Sequence, residues 1–148
     1  MDEREIQLRI TVVSPPADVA FAMQRGRDEL HQATRSTGED ISFDFAVRVR
    51  SGTVAGLNFL GPYTQGPPSV RFVYVNMGTA AGDTRSPWAR RAKVPLMGIT
   101  GITEALVERL GKSPGARLEA RYAGTAKDGS PSCASVKLLG DGWTLVAG

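Results

Sequence analysis

Ile41-Ser42-Phe43-Asp44-Phe45-Ala46-Val47-Arg48-Val49-Arg50 alternates inward and outward residue types without a break. Successive side chains of a strand point to opposite faces. Ile41, Phe43, Phe45, Val47 and Val49 therefore share one face, and Ser42, Asp44, Ala46, Arg48 and Arg50 share the other. The second set is mostly polar, so that face meets water. A strand wet on one side is the signature of a largely antiparallel sheet.

The same period recurs on both sides of this stretch. Upstream, Ile6, Leu8, Ile10 and Val12 alternate with Gln7, Arg9 and Thr11 until Pro15-Pro16, which lack the N–H that a ladder uses. Val19, Phe21 and Met23 alternate with Ala20, Ala22 and Gln24, predicting a second strand. Residues 25 to 40 are polar and charged, and Asp28-Glu29-Leu30-His31-Gln32-Ala33 fits one or two helical turns. Downstream, Gly52 to Gly56 predicts a turn into a short strand around Leu57-Asn58-Phe59-Leu60. Val70 to Met77 is nearly all apolar, which predicts a strand covered on both faces.

One helix is expected, near residues 100–110. Ile99, Ile102, Leu106 and Leu110 fall at helical spacing, and Val107 broadens the stripe. Thr100 suits the N-cap, Glu104 the first turn, Arg109 the last, and Gly111 the left-handed position beyond. Strand alternation then returns at Leu118-Ala120-Tyr122 and Ala134-Val136-Leu138, around a hairpin signal at Asp128-Gly129. Trp143-Thr144-Leu145-Val146 predicts a last short strand. The sum is an α+β chain: a mainly antiparallel β-barrel or sandwich with one substantial helix.

Composition agrees with a single domain over 1–148. The chain has 148 residues, 41% hydrophobic and 22% charged, ordinary for a globular protein. Eighteen basic residues against fifteen acidic ones give +3, interspersed rather than blocked, which is a weak footprint for nucleic acid. One cysteine, Cys133, excludes an internal disulfide. No apolar run approaches the ~20 residues that span a bilayer. The charged start Met1-Asp2-Glu3-Arg4-Glu5 has no signal-peptide core, so a cytoplasmic setting of bacterial type is expected, without membrane association.

Gly61-Pro62-Tyr63-Thr64-Gln65-Gly66, then Arg71-Phe72-Val73-Tyr74-Val75, then Arg90-Arg91-Ala92-Lys93 form an ordered set of motifs. In this order they resemble the hallmarks of an uncharacterised bacterial family known only as a domain of unknown function. The likeness extends to the first two strands and to Asp128-Gly129-Ser130-Pro131-Ser132-Cys133-Ala134. It implies membership over most of the chain, and it brings no activity, substrate or catalytic residue with it.

The candidate chemistry is therefore read from residue types. A zinc site needs several Cys or His ligands, and His31 and Cys133 stand over a hundred residues apart. No metal and no cofactor is expected, and no nucleophile–base pair is visible. The Gly61 to Gly66 spacing is that of neither a Walker nor a dinucleotide loop, and its plain reading is two tight turns. The cationic run 85–93 with Trp88 is the best candidate for binding. Guanidiniums can hold a carboxylate or phosphate; their plainer role is to neutralise Asp83, Glu104 or Glu108. Tyr63, Gln65, Arg71, Trp88, Arg90 and Arg91 make up the expected ligand site, with Tyr74 and Asn76 beside it. The leading expectation is a non-enzymatic module for a small anionic ligand or a protein partner. The alternatives are an enzyme of unrecognised class using Tyr, Asn and Arg in a barrel mouth, and a weak nucleic-acid binder.

Overall fold

A computed structural model of the chain describes residues 3–25, 29–51, 57–59, 72–78, 90–96, 101–123 and 137–147. Among these the elements in order are β1 (Glu3–Val13), β2 (Ala20–Arg25), β3 (Glu29–Arg35), β4 (Ile41–Ser51), β5 (Leu57–Phe59), β6 (Phe72–Gly78), β7 (Arg90–Pro95), α1 (Glu104–Gly111), β8 (Arg117–Ala123) and β9 (Lys137–Val146). They form two sheets. The first runs β5-β4-β1-β8-β9 and the second β3-β2-β6-β7, and neither order of described strands closes on itself.

The β4 alternation holds to the end of the strand. Phe43, Phe45, Val47 and Val49 are buried, while Ser42 and Asp44 are exposed. β4 lies antiparallel to β1, with Leu8 opposite Phe45 and Ile10 opposite Phe43. On its other side β1 runs parallel to β8, with Leu8 opposite Leu118. The first sheet is thus mixed, with one parallel pair in an otherwise antiparallel set. A parallel pair needs a crossover connection, and here the second sheet and α1 lie on the path between β1 and β8.

Both sheets feed one apolar cluster. Leu8, Ile10, Phe43 and Leu118 from the first meet Phe21, Met23, Val73, Val75 and Val94 from the second in it, with Val107 and Leu110 of α1. Leu106 packs partly buried against it. The apolar faces read from β4 and α1 thus meet there through Phe43, Phe45 and Leu110; the side chain of Phe72 lies outside the described set.

Several expectations are corrected. Residues 29–35 are a strand, not helical turns: β3 pairs with β2 through a bulge between Ala22 and Met23. One or two helical turns are too short to persist unaided, whereas pairing with β2 satisfies the same backbone groups in a ladder. The helix is capped by Thr103 rather than Thr100. Thr103 has extended backbone (φ −105°, ψ 162°) and its side chain accepts from the Leu106 N–H at 3.2 Å. Gly111 is the last helical residue, Lys112 is the C-cap at φ −91°, and the left-handed glycine is Gly115 at φ 80°. The last turn closes through Lys112 N–H to Arg109 C=O instead.

On β6, Val73, Val75 and Met77 are buried and Tyr74, on the other face, is half-buried; the side chains of Phe72 and Asn76 lie outside the described set. Residues 143–146 are not a separate strand but the second half of β9. They pair with β8 beyond a register shift between Glu119 and Arg121. Gly140 (φ 70°) and Gly142 (φ 108°) supply the left-handed backbone of that irregularity, a conformation cheap only for glycine. The hairpin turn expected at Asp128-Gly129 lies outside the described residues.

Candidate functional site

Of the six expected ligand residues, Tyr63, Gln65, Arg71 and Trp88 lie outside the described residues. Arg90 and Arg91 lie on β7, so the cationic run continues into a strand that sequence reading had not assigned. A signal was present: Val94 and Leu96, two residues apart, are both buried. β7 pairs antiparallel with β6, which sets Arg90 opposite Met77, Arg91 opposite Asn76 and Lys93 opposite Tyr74. β2, on the far side of β6, places Ala22 opposite Asn76 and Gln24 opposite Tyr74. No acidic residue stands at any of these register positions. Tyr74, expected beside the ligand site, is half-buried.

The outer face of the first sheet is arranged differently, and sequence reading passed over it. Arg9 grips Asp44 with two hydrogen bonds, Nε to Oδ1 at 2.7 Å and Nη2 to Oδ2 at 3.2 Å. Arg117 adds Nη1 to Oδ1 at 2.9 Å. These bonds, the Arg9 one foremost, hold the Asp44 carboxyl below the usual aspartate range. Hydrogen bonding to Asp44 in turn raises Arg9. At the other end of β1, Glu3 is paired with Arg50 and, at 3.5 Å, with Arg48. The Arg50 hydrogen bond is the main cause of its lowered pKa.

Glu119 accepts from the Thr11 hydroxyl at 2.8 Å and lies 3.6 Å from Arg121. The signal for this lattice lay in the outward positions of three alternating strands. What alternation does not reveal is which strands adjoin, and the parallel β1–β8 pair is what brings Glu119 beside Thr11 and Arg9.

Chemically, this lattice is poorly suited to acid–base catalysis near neutrality. A general acid or base works best with a pKa near the operating pH, and two guanidiniums keep Asp44 ionised instead. Tyr122 is pushed up to about 12 by burial and stays protonated. Among the described residues no group of three or more His, Cys, Asp or Glu is placed to hold a metal. No described helix is long and apolar enough to cross a membrane.

Residues 6–146 match a family of unknown function, DUF5990. The chain belongs to that family. The match opens at Ile6, the first core residue of β1, and closes at Val146, the last residue of β9, so both sheets of this DUF5990 chain lie within it apart from the first three residues of β1. No curated protein and no solved structure matches the chain.

Proposed function

We propose that this DUF5990 chain is a non-enzymatic binding module for a small anionic ligand, held at the β6–β7 ladder by Arg90 and Arg91 with Tyr63, Gln65, Arg71 and Trp88 completing the site. One observation carries the reading. The three cations of β7 stand opposite Met77, Asn76 and Tyr74 in register, none of them acidic; by the period of two, Arg91 and Lys93 share one face of the strand, and Arg90 shares the other with Val94. In the first sheet, by contrast, Arg9, Arg48 and Arg50 face Asp44, Glu5 and Glu3. A cationic strand with no acidic residue opposite it in its ladder suits an external anion as counter-charge, which a guanidinium holds with directional, charge-assisted bonds. The surrounding architecture supports a rigid base for such a site. Two open sheets sharing one core fit a sandwich-like α+β domain spanning 1–148 better than a barrel.

The test is a thermal-shift panel of carboxylates, nucleotides, phosphorylated metabolites and short oligonucleotides, run on wild type and on an Arg90→Ala, Arg91→Ala variant. A ligand at a hundredfold excess over its Kd stabilises the native state by about 2.7 kcal/mol. A shift in wild type that the variant loses supports the site. If no anion moves wild type more than the variant, the site is elsewhere. A response to oligonucleotides alone, steeply reduced by salt, replaces this reading with nucleic-acid binding.

A further inference from the structure

Thr11 and Ser42 face each other across the β1–β4 ladder with hydroxyl oxygens 3.0 Å apart. Thr11 has one hydroxyl proton, and it goes to Glu119 Oε2 at 2.8 Å, an oxygen that as carboxylate can only accept. The Thr11–Ser42 bond must then take its proton from Ser42. Ser42 is exposed, and with its proton committed inward it offers the solvent side only lone pairs.

Ser42 also lines an open cleft of about 350 Å³ together with Thr34, Arg35, Thr37, Glu39 and Asp40. That volume lies at the small-molecule end of the usual ~300–1,000 Å³ range. Asp40 is fixed in place by one oxygen, Oδ1, which accepts from the Ser14 N–H at 2.9 Å. Its other oxygen has a long 3.9 Å contact to Arg121. Ser42, Asp40 and Glu39 thus give the cleft a group of acceptors. Arg35 gives it donors. Its Nη1 is anchored on the Asp18 carbonyl at 3.1 Å and carboxylate at 3.3 Å, and its side chain is 54% exposed.

We infer that this cleft binds a small zwitterion of the amino-acid class, its ammonium against Ser42, Asp40 and Glu39 and its carboxylate against Arg35. The mixed signs argue for both ends at once. A simple anion meets the carboxylates of Glu39 and Asp40, and a simple amine meets the guanidinium of Arg35. Only a molecule carrying both charges is matched throughout. The site stands on other residues than the β6–β7 ladder and does not depend on it.

An amide chemical-shift titration by NMR tests this on the full chain, using glycine, β-alanine, γ-aminobutyrate and ε-aminocaproate, with butylamine and butyrate as single-charge controls. At least one zwitterion is expected to give saturable shifts centred on residues 34–43. Each control should bind about tenfold more weakly or worse, the loss of one charge-assisted contact. Asp40→Asn keeps an acceptor for the Ser14 N–H but removes the charge, and Arg35→Gln removes the opposite one. Each should weaken binding by about tenfold. Should Asp40→Asn fail to fold, the exposed Glu39→Gln is the substitute, with the same direction expected. The inference is overturned if no zwitterion saturates, if a single-charge control binds as tightly, or if the shifts fall outside 34–43.

Discussion

The two sheets handle charge in opposite ways. On the outer face of the first, cations and carboxylates alternate across neighbouring strands, so that Arg9 sits between Asp44 and Glu119 in register and Arg48 and Arg50 face Glu5 and Glu3. In the second, three cations crowd onto β7 opposite neutral residues of β6. Cross-strand pairs of opposite charge each contribute roughly 0.2–1 kcal/mol to a sheet, so the first arrangement is a means of holding strands in register. The second has no such return within its ladder. The contrast separates charge opposed by charge in its ladder from charge opposed by neutral residues, and it can be broken at three points.

The largest effect tests whether the sheets are one structure at all. Phe21 of β2 and Phe43 of β4 are 0% and 1% exposed and belong to the same cluster. Truncating a buried Phe to Ala costs about 3–5 kcal/mol. Phe21→Ala and Phe43→Ala should therefore each lower Tm by roughly 6–20 °C, both in a single transition. Two separated transitions, one moved by each variant, would show that the sheets fold independently and that comparing them as halves of one core is wrong.

That shared core was only half visible in the sequence. The first sheet was legible because β1, β4 and β8 each bury one face, and a period of two follows from that geometry. The second was harder. β3 carries Glu29, His31, Gln32 and Arg35, so no apolar period marks it, and its strand character comes from pairing with β2. β7 was masked by its own charge: Arg90, Arg91 and Lys93 outweigh the Val94 and Leu96 that anchor it. The helix was legible by its stripe, but its start was misplaced by three residues, since Thr100 and Thr103 are equally good caps in sequence and the choice of Thr103 rests on its own backbone and hydrogen bond. The site was least legible. Residue type gave the cations of β7, whereas the Thr11–Ser42–Glu119 chain depends on three strands being adjacent, which no local pattern encodes.

A middle-sized effect is expected at Asp44, the hub of the first sheet's lattice. Its side chain is 48% exposed, so solvent screening limits its pairs with Arg9 and Arg117 to about 1 kcal/mol together. The sign of its pH dependence follows from the direction of its shift. The folded-state pKa is depressed. The contribution is therefore fully present above the unfolded value of ~3.9 and is lost as pH falls through the folded pKa. Asp44→Asn should lower stability at neutral pH and converge on wild type in acid, measured by urea unfolding across the acid range. A gap that stays constant down to the most acid point would mean the substitution acts through packing rather than charge.

The smallest effect bears most directly on the contrast. If β7 charge is not used for folding, Arg91→Gln should change stability by no more than about 0.5 kcal/mol, the usual range for a surface substitution. Arg9→Gln breaks a two-pronged bond to Asp44 and leaves that carboxylate with Arg117 alone. It should cost most of the about 1 kcal/mol that the two Asp44 pairs contribute together, and raising salt should narrow the difference between the two variants because the Arg9 pair is partly exposed and screened. Urea unfolding of both at low and high salt measures this. Equal losses would place Arg91 in an internal pair of its own and remove it from the anion site. A loss confined to Arg9 leaves the β7 charge unexplained by folding, which is the condition that a binding role requires.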